Sequence, residues 1–199
     1  MNSHLRDGLK SHLNEAQLKR LAEACVGIAG AGGLGSNLAM MLARSGVQNL
    51  VLVDFDKVEP GNLNRQHYWP RHLNMPKVKA LAETLQELNP AINLRTLNER
   101  LGPDNIEKTL APSSLWAEAL DDAAVKALLV EKALLAGKRV VAASGICGIG
   151  GEALRKKILG NLVIVGDFRT GVDCAPPMAP RVTQAAAMMA DVLLEWILA

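Results

Sequence analysis

The sequence predicts an α/β fold: a doubly wound, mostly parallel sheet that finishes in an antiparallel extension. Three observations predict it. Short apolar runs at residues 25–29, 49–54 and 139–143 alternate with helical patterns, the rhythm of βαβ units in a parallel sheet. A glycine cluster, Gly30-Ala31-Gly32-Gly33-Leu34-Gly35, joins the first run to a helix. Past Ser144 the rhythm changes to two strand-like runs flanking Gly160-Asn161, the pattern of a hairpin.

The elements follow in order. Residues 14–24 read as a helix with Leu13, Leu18 and Leu21 at its apolar positions. The run 25–29 is too short for a helix and reads as a buried strand. Residues 36–45 form a second helix ended by Gly46, and 49–54 a second buried strand. Residues 76–88 place Val78, Leu81, Leu85 and Leu88 on one face of a helix, with Asn74 as its cap and Pro76 in its first turn. Residues 92–97 alternate like a strand, 103–110 form a short helix, and 115–120 a weak strand. Residues 123–135 are a helix closed by Gly137, followed by the strand 139–143. Runs 153–158 and 162–165 make the hairpin, 167–180 a Gly/Pro-rich loop, and 182–199 an apolar-faced closing helix. The expected organisation is one domain over 1–199: an N-terminal helical segment (1–24), a nucleotide-binding β/α core (25–143), and the antiparallel strands, loop and helix (144–199).

Composition narrows the class. A chain of 199 residues buries roughly two-thirds to three-quarters of its unfolded surface, so it needs no disulfide or metal staple. Apolar residues at 49% and charged residues at 21% are an ordinary globular balance, and 3% aromatics make the core aliphatic. A net charge of +2 lacks the clustered basic face of a nucleic-acid binder. Cys25, Cys147 and Cys174 are widely spaced with no CxxC pair, so no zinc site is expected and a reducing compartment fits best. The polar, mixed-charge N-terminus has no signal-peptide core, and no apolar run approaches the ~20 residues of a membrane span. The expectation is a soluble, cytoplasmic protein.

Five local signals carry chemistry. Glycines at 30, 32 and 33 let backbone approach a phosphate, and the helix that follows offers N–H donors to an anion; the strand–turn–helix context suits a GxGxxG nucleotide fingerprint. Packing alone could also require such a turn, and the motif does not separate NAD, FAD and ATP. Asp54 ends the second strand near the spacing of about 20 residues expected of a ribose-binding acid. Asp56 shares its face if the chain stays extended, or merely starts a turn. Asn62, Asn64, Arg65 and Gln66 fall within five residues, Asn62-Leu63-Asn64-Arg65-Gln66, and supply amide and guanidinium donors suited to phosphate oxygens; a solvated polar loop is the plainer alternative. Lys77 at the start of a helix opposes the dipole at a cost of about 0.3–1 kcal/mol, a sign that a bound phosphate would reverse, though Lys79 stands close by. Asp121-Asp122 lies at the carboxyl end of a strand, where open α/β sheets bind ligands. Asp121 suits Mg²⁺ and Asp122 suits the cap of the next helix.

GAGGLGS, VDFD, NLNRQ and the Pro-Lys helix start, in this order, resemble the ThiF/MoeB/HesA family of adenylyltransferases, bacterial relatives of ubiquitin-activating enzymes. The similarity runs from about Leu18 to the last helix. It is strongest to short ThiF-like proteins of thiamine biosynthesis, which share the GIAGAGGLGSN stretch and the segment Ala179-Pro180-Arg181-Val182. The resemblance implies a Rossmann-like fold and activation of the C-terminal glycine carboxylate of a small ubiquitin-like sulfur carrier, ThiS-like and ending in Gly-Gly, with ATP and Mg²⁺. It implies that Gly30, Gly32 and Gly33 approach the nucleotide and that Asp54 binds ribose. It implies that Asn64, Arg65 and Lys77 contact phosphate, that Gln66 supports them, and that Asp121 holds the metal. It also implies a homodimer in which Arg6 reaches the partner's ATP. Two departures stand out: many relatives carry paired CxxC zinc ligands that are absent here, and the usual ATDN segment reads Ala119-Leu120-Asp121-Asp122.

Arg65, Lys77 and Asp121 are the catalytic candidates, with Cys174 in the loop a further candidate for handling sulfur. Cys25 and Cys147 read as structural. The rival readings are an NAD-dependent oxidoreductase, which leaves NLNRQ unexplained, a non-catalytic nucleotide-binding scaffold, and a relative acting on a molybdopterin carrier, a peptide or tRNA.

Overall fold

The computed structural model describes residues 3–199. A helix α1 (Ser3–Lys10) precedes α2 (Glu15–Glu23). The Asn14 side chain accepts from the Gln17 N–H, and Gln17 reciprocates to the Asn14 backbone, a capping box that fixes where α2 begins. Then come β1 (Cys25–Ala29), α3 (Gly33–Arg44), β2 (Asn49–Val53), α4 (Lys77–Leu88), β3 (Asn93–Leu97), α5 (Ile106–Leu110), β4 (Leu115–Glu118), α6 (Ala123–Leu135), β5 (Arg139–Ala143), β6 (Arg155–Leu159), β7 (Leu162–Gly166) and α7 (Ala179–Leu198). Two 3-10 turns, Pro60–Asn62 and Pro70–His72, interrupt the long connection from β2 to α4.

The seven strands form one sheet in the order β3-β2-β1-β4-β5-β7-β6. All neighbours are parallel except β6 and β7, which pair as an antiparallel hairpin at the edge. Strands buried on both faces explain the near-continuous apolar runs of β1 and β2. On one face α3, α4 and α7 pack over a core that includes Ile28, Leu38, Leu52, Leu81, Val163 and Met189. On the other, α5 and α6 cover Val51, Ile106, Trp116 and Leu129. The sequence reversal between β1 and β4 creates a crevice at the strands' carboxyl ends. No helix of the described residues is long and apolar enough to cross a membrane.

One local expectation fails. Asn74 does not cap α4. Its backbone takes φ 67, in the left-handed region that Asn tolerates, and its N–H bonds Val58 O at 2.9 Å. Pro76 is itself the cap residue, outside the first turn, with no side-chain bond to the helix. By contrast Asp122 caps α6, accepting from the Ala124 and Val125 N–H groups at 2.9 and 3.1 Å.

Candidate functional site

The crevice holds a cavity of about 800 Å³. Its floor is the turn from β1 into α3. Gly30 has φ 96, and a Cβ there would overlap Ala119 O, so the turn needs glycine. A Cβ at Gly35 would overlap Gly30 O. Helix α3 starts at Gly33 with no side-chain cap, which leaves its first N–H groups for an anion.

Side chains at the start of α3 draw the NLNRQ segment against this turn. Asn37 Nδ2 donates to Gly33 O at 2.7 Å and to Arg65 O at 2.8 Å. Ser36 Oγ donates to Gly32 O at 2.7 Å and accepts from the His67 N–H at 2.9 Å. Tyr68, buried, donates its hydroxyl to Ala31 O at 2.6 Å and also approaches Lys77 O at 3.3 Å. It therefore straps the glycine turn to the start of α4. Burial, then the nearby Asp54 and Asp56, push the Tyr68 hydroxyl above its ordinary range, so it stays a donor.

Gly30, Gly32, Gly33, Asp54, Arg65, Gln66, Lys77 and Asp121 all line the cavity. Asp54 accepts the Ala31 N–H through Oδ2 and the Asp56 N–H through Oδ1, both at 2.7 Å. Burial pushes its carboxyl up, and those bonds together with Lys77 draw it back. Arg65 Nη1 donates to Asn64 Oδ1 at 2.8 Å and to Gly61 O at 3.1 Å, which fixes its guanidinium on the cavity wall. Gln66 is buried, and its Oε1 has no protein partner. Asp121 is exposed at the carboxyl end of β4 and makes no hydrogen bond or ion pair to any described residue. One free carboxylate lining this cavity fits Mg²⁺, which usually takes one or two carboxylates plus phosphate oxygens. Among the described residues no group of three or more His, Cys, Asp or Glu is clustered to hold a metal.

Asp56, Asn62, Asn64 and Cys174 do not line the cavity. Asp56 Oδ2 pairs with Lys77 Nζ at 2.7 Å, and its carbonyl accepts the Lys77 N–H at 2.8 Å. Its carboxylate therefore holds Lys77. Asn62 Oδ1 accepts the Glu59 N–H at 2.9 Å and shapes the 3-10 turn. Cys174 is exposed in the 167–178 loop. It is Cys147 that lines the cavity, where burial pushes its thiol up against the pull of Arg65. Arg6 lies on α1, exposed and paired with Glu15 at 2.9 Å.

Three groups escaped the sequence reading. Ser36 and Asn37 are polar residues in the first turns of an otherwise apolar helix, a signal that was available. Tyr68 is the chain's single tyrosine, set in a polar loop. The third is a buried clamp. Arg181 at the start of α7 pairs with Asp167 Oδ2 at 2.8 Å and donates to Gly150 O and Glu152 O. Asp167 Oδ1 accepts from the Arg169 and Thr170 N–H groups at 2.8 Å. The clamp anchors the loop whose Gly171, Val172 and Pro177 wall the cavity. The backbone N–H of Thr170 and the other donors around it hold the Asp167 carboxyl down at about 2.

Comparison with known proteins agrees with this architecture. Adenylyltransferase and sulfurtransferase uba4 of Aspergillus niger is 36% identical over 179 residues, 86% of this chain and 36% of that protein. Adenylyltransferase and sulfurtransferase MOCS3 of Xenopus laevis is 36% identical over 133 residues, 66% of this chain and 29% of that protein. The chain thus spans about a third of the length of these curated relatives. The E. coli tRNA N6-threonylcarbamoyladenosine dehydratase TcdA, solved with AMP, superposes with a TM-score of 0.87 at 19% identity over 96% of this chain and 92% of that one. E. coli MccB with ATP gives 0.72 at 20% identity over 91% and 58%. These two share the fold. The model of the ThiF family matches residues 6–197, nearly the whole chain, and the protein belongs to the ThiF family.

Proposed function

We propose that this protein is an ATP- and Mg²⁺-dependent adenylyltransferase that activates the C-terminal glycine carboxylate of a ThiS-like sulfur carrier, in thiazole synthesis for thiamine, and that it works as a homodimer. One observation carries the reading. The glycine turn, Arg65, Gln66, Lys77 and Asp121 meet around a single cavity, though they are spread over 92 positions of sequence (30 to 121, inclusive). Dinucleotide chemistry has no need of two cations and an unpartnered carboxylate beside the glycine turn, whereas a triphosphate does.

A carboxylate oxygen of the carrier attacks the α-phosphorus of ATP. The bond from that phosphorus to the oxygen bridging the β-phosphate breaks, and pyrophosphate leaves with the electron pair, giving an acyl-adenylate. No proton has to move, because the carboxylate is already ionised at neutral pH. Catalysis then rests on positioning and on neutralising phosphate charge. The N–H groups at the start of α3 face the phosphates, with Arg65 and Lys77 as the cations beside them. Asn64 aims Arg65, and Asp56 aims Lys77. Asp54 still has lone pairs for the ribose hydroxyls. Asp121 would hold Mg²⁺, which supplies further charge neutralisation on the phosphate oxygens.

Arg65→Ala and Asp121→Ala test this. Both positions are off the core, so each variant should keep the wild-type melting temperature and lose carrier adenylate formation by about a hundredfold or more, the scale of removing one charge-stabilising group. Near-normal turnover in both folded variants would sink the assignment.

A further inference from the structure

Four cations line the cavity: Arg65, Lys77, Arg100 and Lys126. Arg65 and Lys77 belong to the phosphate side. Arg100 lies over the Phe55 ring, 3.9 Å from its centroid, next to Asp54. Lys126 is the fourth. It projects from α6, with its Nζ 2.9 Å from Glu118 Oε2 and 3.0 Å from Ala143 O. The contact with Glu118 is an ion pair without a hydrogen bond, since Glu118 Oε2 has no hydrogen-bond partner, so of the ammonium's three donors one is used, on Ala143 O. Glu118 is fully buried, and its Oε1 accepts the Leu120 N–H at 2.8 Å, whereas the Lys126 side chain is 30% exposed. The pair is therefore built with its positive end toward the cavity.

Lys126 also stands at a junction. A second groove of about 410 Å³ runs between α6 and the face of β5 and β7, walled by small and apolar side chains such as Ala127, Val130, Leu162 and Ile164. Lys126, Ala143 and Ser144 line both this groove and the main cavity.

We propose that Lys126 binds the acceptor carboxylate, and that the groove beside it admits the extended chain end carrying that carboxylate. This rests on the adenylyltransferase reading. A carboxylate approaching a triphosphate meets like charge, so its path needs a cation away from those already holding phosphate. Of the two other cations, Arg100 is laid over the Phe55 ring, whereas Lys126 stands where the cavity meets the largely apolar groove. Glu118 acts through Lys126 as a positioning residue: its ion pair anchors the ammonium at the junction.

The test uses pyrophosphate exchange with a purified ThiS-like carrier ending in Gly-Gly, a tail-less carrier as control, and ATP affinity by calorimetry without carrier. Lys126→Met alone would strand a buried carboxylate and risks unfolding. The double variant Glu118→Gln/Lys126→Met removes both charges at similar shape. A hydrogen bond to a charged group implies about a tenfold or larger rise in the carrier KM for the double variant, with ATP affinity unchanged and partial recovery in Lys126→Arg. An unchanged carrier KM overturns the proposal, as does a parallel loss of ATP affinity, which would mark a merely structural pair. If wild-type protein binds ATP but shows no tail-dependent exchange, the reading that it activates a Gly-Gly carrier itself fails and takes this one with it.

Discussion

Tyr68→Phe removes one oxygen from the interior and nothing else. The ring is 5% exposed, and phenylalanine keeps its packing, so no cavity forms. What is lost is the 2.6 Å bond to Ala31 O and the weaker approach to Lys77 O at 3.3 Å. The Ala31 carbonyl is left buried without that donor, at a cost of about 1–3 kcal/mol. For a domain of this size each kcal/mol moves the midpoint by about 2–4 °C, so a cost of about 2 kcal/mol lowers the melting temperature by about 4–8 °C. There is a functional cost too. Ala31 also donates its N–H to Asp54, so loosening the turn disturbs the ribose acid and the anion-facing start of α3 together. ATP affinity should fall about three- to tenfold, or roughly 0.7–1.4 kcal/mol. Scanning calorimetry and ATP titration read both effects on one sample. A melting temperature within about 1 °C of wild type, with unchanged ATP affinity, would refute the idea that this hydroxyl ties the phosphate turn to α4.

Two further predictions follow from the same geometry. Gly35→Ala should not fold, because its Cβ would overlap Gly30 O, whereas Gly32→Ala should fold, since its Cβ would meet only Gln66 Nε2 at 3.8 Å; circular dichroism of the pair distinguishes them, and a folded Gly35→Ala would contradict the packing. Asp167 is held at about 2, below the value of about 3.9 for an unfolded aspartate, so its contribution to stability is fully present above pH ~4 and is lost as pH falls toward ~2. Asp167→Asn should therefore flatten that acid limb in urea unfolding; wild type and variant losing stability in parallel between about pH 4 and 2 would rule the clamp out as its source.

Much of the fold was legible because the informative contacts are local. The β1–glycine turn–α3–β2 unit is written in consecutive residues, and so is the cap of α6 by Asp122. The hairpin of β6 and β7 was readable from Gly160-Asn161, but not that β7 would insert beside β5 in parallel and leave β6 at the edge, since that depends on pairing across the sheet. The Asn74 cap was misread because a polar residue two positions before a helix looks the same whether its side chain turns back or its backbone bonds Val58. At the site, residue types pointed to Arg65, Lys77 and Asp121. Which acid faces the cavity did not show: Asp54 and Asp56 are alike in sequence, and only the fold brings Lys77 onto Asp56. Lys126 and Glu118 carried no signal, because their meeting depends on α6 crossing back over the end of β4.

The most direct test of the central claim is ATP–pyrophosphate exchange by wild-type protein with Mg²⁺ and a ThiS-like carrier, with and without its Gly-Gly tail. The account predicts exchange that depends on the tail and is indifferent to NAD. Tight ATP binding with no exchange would contradict it in favour of another carboxylate substrate or a scaffold, and NAD binding without ATP binding would overturn it altogether.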